Sequence, residues 1–208
     1  MKINQGTTRE LIEAIANTVI ESANELTDLD RAIGDADHGV NLERGFKAVL
    51  KKMDRIGALP LADALNEVGT TLILAVGGAS GPLYGKLFAT IGKHLTAVEG
   101  ELTKDALVGA CEESIKVLKA LGKSDVGQKT MLDVLVPSLD ELRAGEGKEV
   151  LRQVRERACS AAQETVPMIA RRGRASFLGE RSQGHMDPGA RSSQIIVGAV
   201  CNYLEARL

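Results

Sequence analysis

Three carboxylates crowd into one short stretch, Asp30, Asp35 and Asp37, with His38 and Asn41 just after them. Carboxylates this close repel one another unless a cation or a set of donors stands among them. Hard oxygen ligands suit Mg²⁺ or Ca²⁺. The twelve-residue calcium-loop pattern fails: counted from Asp35, its fifth position is Gly39 and its twelfth is Phe46, where Asp or Asn and Glu are needed. Mg²⁺, held by a few carboxylates together with phosphate oxygens and water, fits better. The same residues also suit a solvated acidic turn before a helix that starts near Gly39.

Three further segments are rich in Gly, Ser, Asp and Arg. In residues 76–82, Gly77, Gly78, Ala79, Ser80 and Gly81 stand before a helix, with Ser80 as its expected cap and Pro82 in its first turn. Backbone N–H groups of such a loop can approach an anion at the positive helix end, or the loop is only a connector. It is not a nucleotide-binding P-loop. The Gly122-Lys123-Ser124 run is not one either, since Val117 stands where that pattern needs Gly. Residues 171–189 carry Arg171, Arg172, Arg174, Arg181 and Asp187, and Arg191 follows. Guanidinium forks match phosphate, and long Gly-containing loops serve as lids, although a solvated basic loop has the same composition. No Ser/His/Asp or Cys/His pattern marks a nucleophile, and His94 reads as a surface residue. Together the segments offer carboxylates for Mg²⁺, a Gly-rich anion cradle and an Arg-bearing lid. Phosphoryl transfer needs that equipment, because it depends on positioning and charge neutralisation more than on covalent chemistry.

The elements that must hold these segments are helical. Leu11, Ile12, Ile15, Ala16, Val19, Ile20 and Ala23 share one face, and the Thr7/Glu10 spacing of a capping box predicts a helix from about Thr8 to Leu26. Apolar periods predict further helices around Phe46–Met53, Leu61–Leu72 (entered through Pro60), Leu83–Leu95, Leu107–Leu118, Val150–Val166 (ended or kinked at Pro167) and Ile195–Leu204, with Asp187 and Pro188 as cap and first turn. Residues 130–143 have strand-like Val and Leu content. Pro137 is out of place in a central strand, so this stretch reads as a helix kinked there. The reading is an all-α single domain, 1–208, of eight helices with short connections and antiparallel neighbours.

Composition narrows the function classes. Of 208 residues, 26 are Lys or Arg and 28 Asp or Glu, so no basic excess favours a nucleic-acid backbone. Three Phe, two Tyr and no Trp leave no stacking platform for bases and mark no partner face. The three Cys are too scattered for a disulfide framework or zinc site. The polar N-terminus lacks a signal sequence, and the longest apolar runs fall far below the ~20 residues that span a bilayer. A cytoplasmic protein is expected.

The runs LDRAIGDADHGVN, GGASGPLYG, KTMLDVLVPSL and GRASFLGERSQGHMDPGA resemble the nucleotide-binding L subunits of dihydroxyacetone kinases, from about Leu11 to Leu204. The resemblance implies an antiparallel eight-helix barrel with nucleotide at one end. It implies that Asp30, Asp35 and Asp37 hold two Mg²⁺ ions bridging the phosphates of ADP or ATP. His38, Gly39 and Asn41 match the family's nucleotide-contacting turn, and Gly78, Ala79 and Ser80 its phosphate cradle. Gly122, Thr130 and Met131 match the lining of the nucleoside pocket. Arg174 and the Asp187–Pro188 turn match the lid, with Arg174 in a catalytic role.

The resemblance also implies partners. A separate K subunit holds dihydroxyacetone through its own histidine, so that histidine is not expected among His38, His94 and His185. In one version of the chemistry, ADP stays bound and is rephosphorylated in place by a phosphohistidine protein of the phosphotransferase system, the M subunit. In the other, ATP exchanges in a two-subunit kinase for dihydroxyacetone or erythrulose. The first is the expectation here. The oligomeric state is open, a homodimer being one form. A Mg²⁺-dependent helical nucleotide pyrophosphohydrolase would explain the carboxylates but neither the cradle nor the Arg lid.

Overall fold

The computed structural model describes residues 5–96, 102–147 and 149–207, and all regular structure among them is helical. The chain opens with α1 (Gln5–Glu21) and α2 (Ala23–Ile33), and continues with α3 (His38–Lys51), the single turn α4 (Met53–Ile56) and α5 (Leu61–Ala75). Then come α6 (Ser80–Leu95), α7 (Lys104–Gly122), α8 (Leu132–Ala144), α9 (Val150–Glu164), a 3₁₀ segment (Arg174–Ser182) and α10 (Pro188–Glu205). None of these helices is long and apolar enough to cross a membrane.

Two expectations about the first helix are corrected. It already runs from Gln5 among the described residues, so Thr7 lies inside it, and the Glu10 carboxylate accepts from Arg207 and from the Tyr203 hydroxyl. Its apolar face does not end near Leu26. The run is interrupted at Ser22, whose hydroxyl donates back to Thr18 O (2.8 Å) as Thr18 donates back to Ala14 O (2.7 Å), a local competition that loosens a helix. Helix resumes as α2 through the acidic stretch, because Leu26, Asp30 and Ile33 fall on its buried side. Residues 130–143 are helical, and α8 runs through Pro137.

The long helices close into a ring. α1 packs on α3, α3 on α5, and each later helix on the next through α10, which returns to α1. Neighbours run antiparallel: Tyr203 of α10 donates to Thr7 O of α1, while Arg191 at the other end of α10 pairs with Glu25 beyond α1. Counting α1/α2 and α3/α4 as broken single helices, this is the expected eight-helix arrangement. The core is aliphatic, with Leu26, Leu42, Leu72, Leu118 and Leu132 fully buried and Phe46 edge-on to Phe88. α5 and α6 pack closely at Gly69, where a Cβ would lie 2.4 Å from Gly85 O and 2.7 Å from the Ala89 Cβ. Smaller apolar clusters, such as Val134, Ala158, Ala161 and Ala190, seat α9 and α10 on α8.

Up-and-down alternation sends every second connection to the same end. The α2–α3, α5–α6, α7–α8 and α9–α10 connections therefore gather there. They are the four unusual segments of the sequence.

Candidate functional site

Asp30 comes from the last turn of α2 and is buried. Its Oδ2 accepts from the backbone N–H of Asp37 (2.9 Å) and His38 (3.2 Å), so it caps α3 from outside. Gly34 makes this close return possible, since a Cβ there would fall 2.0 Å from Asp30 Oδ1. Asp35 and Asp37 follow on either side of Ala36, which adopts a left-handed φ of +61°. One carboxylate oxygen from each of Asp30, Asp35 and Asp37 lies within 4.8 Å of the others. Among the described residues, Asp35 alone of the three has a cationic partner, Arg174 at 2.7 Å. The cluster is thus both readings at once: one carboxylate caps a helix, and the three together form a donor set of hard oxygens that fits Mg²⁺.

The α5–α6 connection faces this cluster. Gly78 takes a left-handed φ of +63°, and its open side looks toward Asn41 and Asp37, each 4.0 Å from where a Cβ would stand. Ser80 is the first residue of α6 and does not cap it with its side chain. Its hydroxyl is held by His38 Nδ1 (3.1 Å), while Nε2 of the same ring meets Ser192 Oγ (2.8 Å). Burial holds the His38 pKa below its ordinary value, against the pull of Asp30 and Asp37, so the ring is a neutral bridge at neutral pH. Tyr84 extends the bridge, its hydroxyl meeting Ser192 (2.6 Å), Ser193 (3.1 Å) and Gly189 O (3.1 Å).

The α7–α8 connection is shaped by Asp133. Its two carboxylate oxygens accept from the N–H groups of Gly127 and Thr130, forming a tight turn that presents Lys129, Thr130 and Met131. The α9–α10 connection supplies Arg172, Arg174 and the Asp187–Pro188 turn. Asp187 caps α10, its Oδ2 accepting from Ala190 N at 2.7 Å. Burial pushes its pKa up to about 7, with Asp133 and Asp30 adding to the rise and Lys129 opposing it.

These segments enclose a cavity of about 420 Å³, within the range of small-molecule sites. Its lining divides by chemistry. Asp30, Asp35, Asp37, Ser80, Arg172 and Arg174 supply charge and hydrogen bonds, while Ile33, Leu83, Leu118 and Met131 supply an apolar wall. Of the expected site residues, Asp30, Asp35, Asp37, His38, Gly78, Ala79, Ser80, Gly122, Thr130, Met131, Arg174, Asp187 and Pro188 all line it.

Gly39 and Asn41 do not. Gly39 is packed on α2, where a Cβ would fall 1.9 Å from Ala23 O. Asn41 accepts from Arg44 (2.7 Å), whose Nε also donates to Ala75 O (2.8 Å), so the pair braces the α5–α6 turn beside Gly77 and Gly78. Among the arginines, Arg191 is drawn away onto Glu25. Lys129, Tyr84 and Ser192 were not singled out by sequence. A lysine between Gln128 and Thr130, or a serine inside an apolar helix, carries no local signal of the carbonyls and ring that it meets from distant segments.

The DAK2 domain family matches residues 32–202. The ADP-binding subunit DhaL of the PEP-dependent dihydroxyacetone kinase of Escherichia coli is 44% identical over 172 residues, covering 80% of this chain and 81% of that protein. A Listeria innocua subunit of the same description is 40% identical, covering 88% of each chain. The PTS-dependent counterpart of Lactococcus lactis is 36% identical over 188 residues, covering 90% of this chain and 91% of its own. Among solved structures, the dihydroxyacetone kinase of C. freundii in complex with AMP-PNP and Mg²⁺ superposes with a TM-score of 0.73 at 25% identity. It covers 97% of this chain, which spans only 34% of that longer one. The chain belongs to the DAK2-domain family, with the DhaL subunits of dihydroxyacetone kinases as its relatives.

Proposed function

We propose that this chain carries ADP with Mg²⁺ in the cavity and passes a phosphoryl group to dihydroxyacetone held on a separate K subunit. ADP is rephosphorylated in place by a phosphohistidine M subunit of the phosphotransferase system, in the cytoplasm. One observation carries the reading. Three Asp carboxylates, a Gly-rich helix start and an Arg-bearing segment, far apart in sequence, line one cavity together with an apolar wall.

Asp30, Asp35 and Asp37 would hold two Mg²⁺ ions, which when bound neutralise charge on the phosphate oxygens. The N–H groups of Ala79 and Ser80, before and at the start of α6, are placed to donate to a phosphate, and Gly78 keeps that approach open. His38 does not spend its ring on the nucleotide; it fixes Ser80 against α10. Gly122, Thr130 and Met131 receive the nucleoside beside Leu83 and Leu118. Arg174 exchanges Asp35 for phosphate oxygens as charge develops there. Gly39 lets α3 pack closely on α2, and Asn41 stands beside the open side of Gly78, held by Arg44.

The relatives named for PEP- or PTS-dependent kinases support bound ADP over exchanging ATP. Docking of the K subunit over this end is supported by exposed apolar side chains on the segments around the cavity mouth, notably Val40, Leu74, Leu121, Val126 and Phe177. The scarcity of aromatics gave no hint of that rim.

Reconstitution tests the reading. The ADP-loaded chain, mixed with K subunit and dihydroxyacetone, should form dihydroxyacetone phosphate when a phosphohistidine donor charged from phosphoenolpyruvate is added. Turnover with ATP as the only donor would replace it with the two-subunit ATP kinase. Release of free phosphate or pyrophosphate by the lone chain would replace it with a hydrolase.

A further inference from the structure

Lys129 is the one buried lysine among the described residues, 1% exposed, and it stands at a left-handed φ of +62° that side chains rarely adopt. Its Nζ is surrounded by five backbone carbonyl oxygens: Thr165 (2.9 Å), Val166 (3.5 Å), Met168 (3.0 Å), Ser182 (2.8 Å) and His185 (2.5 Å). All five belong to the α9–α10 connection, from both of its ends. An ammonium has three donors, so the oxygens share them, much as they would share a bare monovalent cation. Burial pulls the Lys129 pKa down and Asp187 opposes that pull.

The other ties of the connection are single and scattered. Gly184 N donates to Val166 O (2.9 Å), Ala170 N to Ser182 Oγ (2.8 Å), Gln183 Nε2 to Pro167 O (3.0 Å), Asp187 N to Thr165 Oγ1 (3.1 Å) and Arg171 N to Gln128 O (3.2 Å), and Arg174 pairs with Asp35. Its apolar anchors are small, Ala170, Ala175 and Leu178 against Ile33 and Met186 against the Val134 cluster. Between those ties the chain runs out through exposed Arg171, Arg172 and Arg174 and an interruption at Gly179. Asp133 in turn fixes the loop from which Lys129 reaches, by accepting from Gly127 and Thr130 on either side.

We infer that Lys129 is a positioning residue whose ammonium, caged by the carbonyls of residues 165–185, assembles the Arg174 segment over the cavity. It touches no phosphate in this role. It acts through Arg172, Arg174 and Asp187, whose placement depends on how the two ends of the connection converge. Truncating it would remove the shared donor from five carbonyl oxygens, of which Thr165 O keeps Met168 N and Val166 O keeps Gly184 N, a penalty confined to this connection rather than spread over the helix ring. The inference rests on the cavity being the nucleotide site, but its first readout does not.

That readout is limited trypsin digestion of the ligand-free chain, comparing wild type with Lys129→Met and Lys129→Ala. The expected result is cleavage at Arg171, Arg172, Arg174 or Arg181 at least tenfold faster in the variants, with helical circular dichroism retained. The second readout is binding of ADP with Mg²⁺, expected at least tenfold weaker in both. In Lys129→Ala, propylammonium chloride should restore slow cleavage and tight binding, while choline chloride at equal ionic strength should not. Unchanged cleavage in both variants overturns the inference, as does a loss of binding indifferent to propylammonium. Global unfolding of both variants, with and without the amine, also overturns it, because the ammonium would then serve the whole fold. If wild type itself binds no ADP, the nucleotide reading fails while the digestion result still judges Lys129.

Discussion

Replacing Asp30 by Asn and by Ala separates its two roles. The Asp30 carboxylate caps α3 through two backbone N–H groups, at 2.9 and 3.2 Å, and also contributes an oxygen to the three-carboxylate cluster. Hydrogen bonds to a charged acceptor contribute about 1.5–3 kcal/mol each and neutral ones about 1 kcal/mol. Asn keeps an acceptor in place and loses the charge, so it should cost about 1–2 kcal/mol. Ala leaves the N–H groups of Asp37 and of buried His38 without their charged acceptor and should cost about 3–5 kcal/mol. For a chain of this size, about 2–4 °C of melting temperature accompanies each kcal/mol, which predicts a drop of roughly 2–8 °C for Asn and roughly 6–20 °C for Ala. Both variants should lose Mg²⁺-dependent ADP binding nearly completely, because a neutral group is a poor ligand for a hard dication. Urea unfolding in chelator gives the first quantity and titration calorimetry with ADP and Mg²⁺ the second. Native ADP affinity in Asp30→Asn would refute the metal assignment. Equal stability of Asn and Ala would refute the capping role.

Three further perturbations reach other parts of the structure. Arg174→Ala removes a half-exposed ion pair with Asp35 and should leave stability within about 1 kcal/mol, yet slow single-turnover phosphoryl transfer about 10²-fold; an unchanged rate would remove its catalytic role. Asp187 has its folded pKa raised from 3.8 to about 7, so the folded state holds its proton more tightly than the unfolded chain. The resulting stabilisation is lost as pH rises through that window, and Asp187→Asn should gain roughly 2–3 kcal/mol on wild type between pH 5 and pH 8. A pH-independent difference between their urea midpoints would contradict this. Gly69→Ala places a Cβ 2.4 Å from Gly85 O and should cost more than ~2 kcal/mol by forcing α5 from α6, whereas a neutral urea midpoint would mean that the helices part freely.

The helices were legible because each buries one face, so the 3.6-residue period survives in the sequence. Pro60, Pro82 and Pro188 mark helix starts as read, and all four functional connections stood out by composition. What was hidden depends on distant partners. The α2 extension carries Asp28, Asp30 and Arg31, which read as a polar loop until Leu26 and Ile33 are seen to be buried. Ser80 looked like a helix cap, but His38, brought up by α3, takes its hydroxyl. Gly39 looked like part of a ligand-binding turn, and the backbone of α2 is what excludes a side chain there. Lys129 is the extreme case, since its five partners lie 36 to 56 residues away.

The central claim is that the cavity between the four connections holds ADP with Mg²⁺. Its most direct test is to dialyse the purified chain extensively in Mg²⁺ buffer, denature it and identify the nucleotide released. Stoichiometric ADP, lost when chelator replaces Mg²⁺ during dialysis, is the predicted result. An empty chain that takes up neither ADP nor ATP in the presence of Mg²⁺ would contradict it.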